Sequence, residues 1–284
     1  MKTILGVQNE IIESLKEKIK LPRREAALES KFILEYVLKM KHASLISNQH
    51  NNINQKDINN IYRIISERIT YKPLAYILGE WSFYGLKFLI STDTLIPRQD
   101  TELIIDLIHK QFSENQKLMI LDLGTGSGII GITLAKIFPK AKVLISDISL
   151  KALEISKKNI SYHSLKNIQI IQSNWMKNIP SKKFDIIVSN PPYINENDKH
   201  LIASELSYEP KISLFSKEDG YADIAQIIHQ SPKFLTQNGV LYLEHGFDQS
   251  EKIKHLLSEN CFINIKQYYD LNKIIRVTSG KIKH

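Results

Sequence analysis

The four residues Asn190-Pro191-Pro192-Tyr193 follow directly on the apolar segment 184–189, which has the character of a buried strand. Neither proline has an N–H group, so neither can extend a sheet ladder. A residue that precedes proline is restricted to extended backbone, and here this applies to both Asn190 and Pro191. The strand end therefore holds an amide, a free carbonyl and an aromatic ring on a stiff backbone. Two neutral acceptors and a ring face suit a planar NH₂ group. A simple strand terminator, with Tyr193 capping the core, is the alternative.

A second group of residues predicts a site for a nucleotide-like cofactor. The apolar segment 117–123 reads as a buried strand, and residues 129–138 read as a helix. Between them lies Gly124-Thr125-Gly126-Ser127-Gly128. In such a turn the backbone approaches a ligand closely, and N–H groups at the helix start point at negative charge. The next strand, 141–146, ends at Asp147, where an acid typically accepts hydrogen bonds from ribose hydroxyls.

The glycines leave two kinds of cofactor open. Gly126, Gly128 and Gly131 satisfy the dinucleotide pattern G-x-G-x-x-G, which is weak alone. However, the glycines begin at Gly124, two residues after Asp122, which gives D-x-G-x-G-x-G. This register and the Asn-Pro-Pro-Tyr sequence, which has no place in hydride transfer, argue against NAD.

Together these motifs resemble the class I methyltransferases that use S-adenosylmethionine. Further motifs narrow the resemblance: they are the segments 73–79 (PLAYILG), 83–85 (FYG) and 95–102 (LIPRQDTE). The ordered set is similar to the bacterial release-factor glutamine methyltransferases, from about Pro22 to the C-terminus. That family methylates the side-chain nitrogen of the glutamine in the Gly-Gly-Gln loop of peptide-chain release factors.

The resemblance implies an α/β fold with a Rossmann-like class I methyltransferase sheet. A C-terminal antiparallel hairpin ends the sheet, and a small N-terminal helical bundle precedes it. S-adenosylmethionine is the implied methyl donor. The residues expected to bind it are Gly124, Thr125, Gly126, Ser127, Gly128, Asp147, Trp175 and Asn190. The residues expected to bind the substrate are Asn190, Pro191, Pro192 and Tyr193, and of these Asn190 and Pro191 are the expected catalytic groups.

Three positions depart from the family pattern. Gln99 replaces a proline, Asn174 replaces an aspartate before Trp175, and Ser207 replaces an arginine. The first two are expected to alter local geometry and the third a contact with the protein substrate. None removes a group that the chemistry needs. The resemblance also places Arg98 and Glu102 at the floor of the substrate cleft, whereas Asp100 or Thr101 read alone as a helix N-cap.

Apolar periodicity divides the chain into two parts. Helices are predicted over 10–19, 23–40 and 56–69, with an asparagine-rich loop over 48–54. We assign residues 1–80 to a helical domain for substrate recognition, 81–92 to a β-hairpin linker, and 93–284 to the methyltransferase domain. A purely stabilising role for the helical domain remains open.

Further elements are expected in the second part. Strands are predicted over 168–172, 240–244, 261–269 and 274–279, and helices over 103–112, 150–162, 222–235 and 249–259. In open α/β sheets ligands bind at the carboxyl ends of the strands. Gly124, Asp147, Trp175 and Asn190 all fall at such ends.

Composition fits a globular enzyme and does not identify it. The chain has 284 residues, 43% hydrophobic and 24% charged, enough for one large domain or two ordinary ones. Cys261 is the single cysteine, so no internal disulfide forms and a reducing compartment is expected. No apolar stretch approaches ~20 residues and no signal-peptide pattern opens the chain, which makes the cytoplasm the expected location and a membrane partner unexpected. His163 and His245 have no metal-ligand spacing, and we propose no metal site.

The net charge of +8 supports no stable nucleic-acid binding, because the richness in Lys, Ile and Asn reflects a biased genome equally well.

Two other functions remain open. An adenine-N6 or cytosine-N4 nucleic-acid methyltransferase would use the same Asn-Pro-Pro-Tyr, but it needs a basic target-recognition region. A catalytically silent adaptor that only binds release factors is disfavoured by the intact glycine loop, Asp147 and Asn190.

Overall fold

A computed structural model describes residues 2–195 and 205–283 of the chain. The chain divides into two compact units: the described residues of the first are 2–79 and 205–208, and those of the second are 80–195 and 209–283. The first unit is helical, and the second is built on a seven-stranded sheet.

The first unit contains α1 (Ile4–Ile19), α2 (Arg23–Leu38), α3 (His42–Ser47), α4 (Gln55–Arg68), α5 (Leu74–Leu78) and the short strands β1 (Lys2–Thr3) and β2 (Asn52–Ile53). The helices form where apolar residues recur at helical spacing; in α1, Val7, Ile11 and Leu15 are fully buried four residues apart. The predicted helix over 10–19 begins earlier, because the Thr3 hydroxyl caps it by accepting from the Gly6 N–H at 3.1 Å.

Two further differences from the prediction concern short elements. The asparagine-rich loop contains β2, which pairs antiparallel with β1. Helices α3 and α5 have six and five residues, too few to produce a readable period.

One buried cation lies in the first unit. The Arg68 side chain is 1% exposed and donates to both carboxylate oxygens of Glu29, at 2.8 and 2.9 Å. It also pairs with Glu205, and the Tyr208 hydroxyl donates to the Thr70 carbonyl at 2.9 Å. The segment 205–208 is therefore fixed to this unit, although it lies far along the chain.

The sheet of the second unit has the order β12-β13-β11-β8-β5-β6-β7. Its strands are β5 (Met119–Leu123), β6 (Lys142–Asp147), β7 (Ile168–Gln172), β8 (Phe184–Ser189), β11 (Leu235–Glu244), β12 (Phe262–Tyr269) and β13 (Ile275–Ile282). The five strands from β11 to β7 are parallel, whereas β13 pairs antiparallel with both β11 and β12. The predicted parallel sheet with an antiparallel C-terminal hairpin is confirmed.

Helices and short strands complete this unit. They are α6 (Glu102–Gln111), α7 (Ile129–Ile137), α8 (Leu150–Tyr162), α9 (Lys211–Leu214), α10 (Lys217–Gly220), α11 (Ala222–Gln230), α12 (Ser250–Glu259), β3 (Glu80–Phe83), β4 (Leu86–Leu89), β9 (Ile194–Asn195) and β10 (Phe215–Ser216). The predicted helix over 222–235 was too long: it ends at Gln230, a 3₁₀ turn containing Pro232 follows, and Leu235 already pairs with Phe184 in the sheet.

Central strands are apolar on both faces, as parallel sheets covered by helices require. Along β8, Ile186 and Val188 join one apolar cluster, and Phe184 and Ile187 join the other. All four are fully buried. The core therefore lies in two layers, and the ends of the strands are left to carry polar groups.

The hairpin β3–β4 turns at Tyr84-Gly85, where both residues have positive φ, as two-residue hairpin turns require. The Asn159 side chain on α8 donates to the Leu89 carbonyl at 2.9 Å and accepts from the Leu89 N–H at 2.7 Å. This pair of bonds attaches the edge of the hairpin to α8. In the described part of the chain no helix has the length and apolar character to cross a bilayer.

Candidate active site

A cleft opens in the second unit where the parallel strands end. It is lined by Leu95, Gly124, Gly126, Asp147, Ile148, Ser173, Asn174, Trp175, Asn190, Pro192, Ile212, Ser213, Phe215, Asp223 and Gln226. The set includes Gly124, Asp147, Trp175 and Asn190, the four positions that the sequence placed at strand ends. The structure thus brings the glycine motif and the asparagine motif to one cavity.

The glycine loop depends on backbone that other residues adopt poorly. Gly124 has φ +68°, and a Cβ placed there would lie 3.2 Å from the Trp175 ring. Gly126 has φ +57° and open space above it. The loop therefore offers bare backbone to the cleft at Gly126, while Gly124 allows the Trp175 ring to approach.

Asp122 lies beneath the loop and holds it. Its Oδ2 accepts from the Thr125 hydroxyl at 2.5 Å and from the Gly131 N–H at 2.9 Å. Oδ1 is buried without a hydrogen-bond partner among the described residues. Because the carboxyl is fully buried, desolvation raises the pKa of Asp122 to about 7, against the lowering effect of those two bonds.

Asp147 lines the cleft at the end of β6. Its Oδ2 accepts from the Gly126 N–H and its Oδ1 from the Ser149 N–H, both at 2.9 Å. Burial raises its pKa, and these N–H groups oppose the rise. A carboxylate has about four acceptor positions, so Asp147 can hold the glycine loop and still accept from ligand hydroxyls.

Trp175 is fixed from behind by residues that sequence reasoning missed. Its Nε1 donates to Asp223 Oδ1 at 2.9 Å, and the Ser216 hydroxyl donates to Asp223 Oδ2 at 2.6 Å. Asp223 lies in the first turn of α11 and also lines the cleft. An acidic residue in the first turn of a helix interacts favourably with the helix dipole. Sequence reasoning therefore gave Asp223 no further role.

Asn190 follows β8 and is half-buried. Its Nδ2 donates to the Thr101 hydroxyl at 3.2 Å. Glu244, at the end of the neighbouring strand β11, is 2% exposed. Burial raises the pKa of Glu244 to about 7, and its Oε2 is buried without a hydrogen-bond partner among the described residues. The Asn190 amide is thus held through its hydrogen bond to Thr101, and Asn190 lines the cleft, where its Oδ1 can accept from a ligand.

The rest of the Asn-Pro-Pro-Tyr sequence is held mainly by its backbone. Pro191 is buried, Pro192 lines the cleft, and the Tyr193 ring packs against the apolar core. Burial strongly raises the pKa of Tyr193, which stays neutral. The Gln249 side chain donates to the Tyr193 carbonyl at 3.1 Å and accepts from the Gly246 N–H at 2.9 Å. Gln249 was also missed.

Several predicted residues lie behind the cleft and do not line it. Thr125 and Ser127 are buried, and Gly128 starts α7 with φ +90°. Their contribution to a cofactor site is the shape of the loop. Pro191 and Tyr193 are likewise absent from the lining.

The residues that the resemblance placed at the cleft floor have other partners. Arg98 pairs with the buried Glu209, which also accepts from the Ile96 N–H at 3.0 Å. Glu102 accepts from the Tyr84 N–H of the hairpin at 2.6 Å. Of the three positions that depart from the family pattern, Asn174 lines the cleft and Gln99 lies in the 3₁₀ turn before α6. Ser207 lies in the segment 205–208, which belongs to the first unit.

The cleft fits S-adenosylmethionine by the chemistry of its donors and acceptors. Asp147 offers a carboxylate to a pair of hydroxyls, and Trp175 offers a ring beside the loop. Gly126 leaves open space where a Cβ would otherwise stand. Hydroxyls, a flat base and a close approach to backbone are the requirements of an adenosine group.

Comparison with known proteins agrees with this geometry. Residues 99–217 match the family model described as "Methyltransferase small domain", and residues 7–79 match the "PrmC N-terminal domain". Two solved structures share the fold. A methyltransferase from Pyrococcus furiosus has a TM-score of 0.55 at 16% identity, over 77% of this chain and 98% of that one. The 16S rRNA N2 G1207 methyltransferase of T. thermophilus, solved with AdoMet and guanosine, has a TM-score of 0.52 at 17% identity, over 72% of this chain and 50% of that one.

Relatives of known function are more similar in sequence. The bifunctional methyltransferase of Rickettsia bellii is 35% identical over 88% of this chain, and the chain spans about half of that relative, 51%. The release factor glutamine methyltransferase of Coxiella burnetii is 34% identical over 98% of both chains. On these matches, the chain belongs to the release factor glutamine methyltransferase family.

Proposed function

We propose that this protein transfers the methyl group of S-adenosylmethionine to the side-chain nitrogen N5 of the glutamine in the Gly-Gly-Gln loop of peptide-chain release factors. The observation that carries the proposal is the single cleft whose lining combines Asp147 and Trp175 with Asn190. Membership of the family supports the choice of substrate.

The cofactor would be held by Asp147, by the backbone at Gly124 and Gly126, and by the Trp175 ring. It supplies a methyl group on a positively charged sulfur, which is already activated for transfer. The protein's own task is therefore to orient the acceptor nitrogen and to exclude water from the cleft.

An amide nitrogen is a poor nucleophile because its lone pair is delocalised into the carbonyl. Asn190 Oδ1 and the Pro191 carbonyl would accept its two hydrogens and so turn the lone pair toward the methyl group. As positive charge develops on the nitrogen, the same acceptors bind it more strongly, which stabilises the transition state. The nitrogen–carbon bond would form as the methyl–sulfur bond breaks, and one proton of the nitrogen would then pass to water, so this arrangement needs no strong general base.

We assign recognition of the release factor to the first unit, because its residues 7–79 match the N-terminal family model. The unit exposes Ile46 at 56% and Tyr71 at 51%.

Replacement of Ile46 by serine is expected to raise KM for the release factor about 3- to 10-fold, the effect of one apolar contact, and to leave kcat unchanged. Ile263→Ser, at an exposed position of β12, is the matched control. An unchanged KM would leave the first unit with a stabilising role.

Because the proposed substrate acts in translation, the reaction would take place in the cytoplasm.

The function is tested by methyl transfer from labelled S-adenosylmethionine to three substrates side by side. These are a release factor with Gly-Gly-Gln, the same factor with that glutamine changed to alanine, and duplex DNA. Label only on the first supports the proposal. Comparable label on the alanine factor, or efficient label on DNA, overturns it, and the latter indicates an exocyclic-amine methyltransferase. Tight binding to the factor with no label would indicate an adaptor.

A further inference from the structure

Trp175 has an unusual backbone for a residue of its size. Its φ is +47°, in the left-handed region, which a bulky side chain adopts rarely and at a cost in free energy. The Ser173 hydroxyl donates to the Trp175 carbonyl at 2.7 Å and accepts from the Asn178 N–H at 3.0 Å. The Ser173 N–H in turn donates to the Asp147 carbonyl at 3.0 Å. The backbone at Trp175 is therefore fixed to that of Asp147, the expected ribose acceptor.

The Trp175 indole is held at two of its edges. A Cβ at Gly124 would lie 3.2 Å from Cζ3 and 3.4 Å from Cη2 of the six-membered ring, so this edge lies against the glycine loop. At the five-membered ring, Nε1 donates to Asp223 Oδ1 at 2.9 Å. An indole has one N–H and no acceptor, and the torsion that turns it has two broad preferred orientations. Turning the ring over would take Nε1 away from Asp223, so this bond selects one of the two.

The Asp223 carboxylate is itself fixed by Ser216. The Ser216 hydroxyl donates to Asp223 Oδ2 at 2.6 Å and accepts from the Asp223 N–H at 3.1 Å, which makes a closed pair of bonds. Ser216 is 2% exposed and lies in β10, opposite Asn195 of β9. Because both of its oxygens have donors, Asp223 presents Oδ1 to the indole in a single orientation.

We infer that Asp223 is a positioning residue which, held by Ser216, fixes the Trp175 ring in the orientation that packs beside the base of S-adenosylmethionine. The inference deepens the proposed function, since it rests on the assignment of Trp175 to the cofactor. A ring that is already fixed loses little freedom when the base binds, so more of the stacking energy contributes to affinity. Asp223 also lines the cleft, and direct contact with the cofactor is the competing explanation.

The first test is the affinity for S-adenosylmethionine, measured by calorimetry. Asp223→Ala removes the acceptor of the indole N–H, so the dissociation constant should rise about 3- to 10-fold, part of what stacking of a base on an aromatic ring contributes. Asp223→Asn keeps an oxygen that can accept from Nε1 and should restore most of the affinity. Asp185→Ala is the matched control. Asp185 accepts from the Met119 N–H at 2.8 Å near the start of β8, away from the cleft, and its loss should leave the affinity unchanged.

A double variant separates positioning from direct contact. Trp175→Phe keeps an aromatic ring but has no N–H, so Asp223 has no indole to orient. Asp223→Ala should therefore cause no further loss of affinity when it is combined with Trp175→Phe. An equal loss in both backgrounds, or an unchanged affinity in Asp223→Ala alone, would overturn the inference. If Asp223→Ala fails to fold, Ser216→Ala takes its place: it frees the carboxylate, and it should weaken binding only while Trp175 is present.

A spectroscopic measurement observes the bond itself. The chain has two tryptophans, so the indole N–H resonance of Trp175 in a ¹⁵N-edited NMR spectrum can be assigned by its loss in Trp175→Phe. This N–H should exchange slowly with solvent in the wild type and in Asp223→Asn, and faster in Asp223→Ala. An exchange rate that Asp223→Ala leaves unchanged would overturn the inference.

Neither calorimetry nor indole exchange requires a release factor, which separates this inference from the proposed function. If the wild type binds S-adenosylmethionine but leaves the release factor unlabelled, the proposed function fails. The two measurements then still decide whether Asp223 acts through Trp175.

Discussion

The two sides of the cleft are built in different ways. On the glycine-loop side the bonds that hold the loop join residues close in the chain, as where Asp122 accepts from the Gly131 N–H nine residues away. On the asparagine side the bonds join residues far apart in the chain, as where Asn190 donates to Thr101 across 89 residues and Gln249 donates to the Tyr193 carbonyl across 56. A motif of contiguous residues therefore specifies the first side, whereas the order of the strands specifies the second. We expect the first side to govern cofactor affinity and the second to govern turnover.

The largest effect is expected at Asn190. Asn190→Ala removes the acceptor that matters most as charge develops, so turnover should fall about 10²- to 10³-fold, as for the loss of one preorganised active-site hydrogen bond. Affinity for S-adenosylmethionine, measured by calorimetry, should change much less. Asn195→Ala is a matched control, because the Asn195 amide donates to Asp219 and does not line the cleft. Near-wild-type turnover on saturating release factor would make Asn190 a strand terminator only.

Asp147→Ala should show the reverse behaviour. Each hydrogen bond between a ligand hydroxyl and a carboxylate is worth about 1.5–3 kcal/mol, so the dissociation constant for S-adenosylmethionine should rise about 10- to 150-fold. The Gly126 N–H loses its partner as well, which loosens the loop. Calorimetry on the folded variant measures this change, and unaltered affinity would refute the assignment of Asp147 to the cofactor.

A smaller effect on the same side is expected from Gly124→Ala. The left-handed backbone at Gly124 costs a residue with a Cβ about 1–2 kcal/mol, and the added carbon meets the Trp175 ring. Cofactor affinity should fall about 10-fold. Gly6→Ala, in α1 of the first unit, serves as the control for a general effect of the substitution. Equal losses of affinity in the two variants would show that the close approach to Trp175 is unimportant.

The last effect concerns stability and neither turnover nor cofactor affinity. The folded pKa of Asp122 is raised from 3.8 to about 7, so folding takes up a proton between these values. The free energy of unfolding should therefore fall as pH rises through this window, by up to about 1.4 kcal/mol per pH unit for one such group, and level off above it. Asp122→Asn should reduce this slope, since only groups such as Glu244 then contribute. Urea unfolding at pH 5 and pH 8 measures it. A slope equal to that of the wild type would show that Asp122 stays ionised.

The same contrast explains what could be predicted from the sequence. The strand, glycine turn and helix around Gly124, and the acid at Asp147, lie in one βαβ unit whose geometry is largely fixed by local sequence. Asn190 could be predicted as a site residue because two prolines follow it directly in the sequence. Glu244 ends an apolar strand and was assigned no catalytic role, since its place beside Asn190 follows from the adjacency of β8 and β11, which periodicity does not contain. Thr101 was interpreted as a possible helix cap, and Asp223 was not singled out, because each is also what a plain helix start requires.

The ion pair between Arg68 and Glu205 has a consequence for the order of synthesis. A ribosome releases the chain from its N-terminus, and α1 to α5 emerge long before residue 205. Until then Glu29 is the carboxylate partner of Arg68 among the described residues. The first unit therefore completes its structure late, after most strands of the second unit's sheet have been made. A fragment that ends at Gly79 should unfold at a lower temperature than the same unit within the full chain.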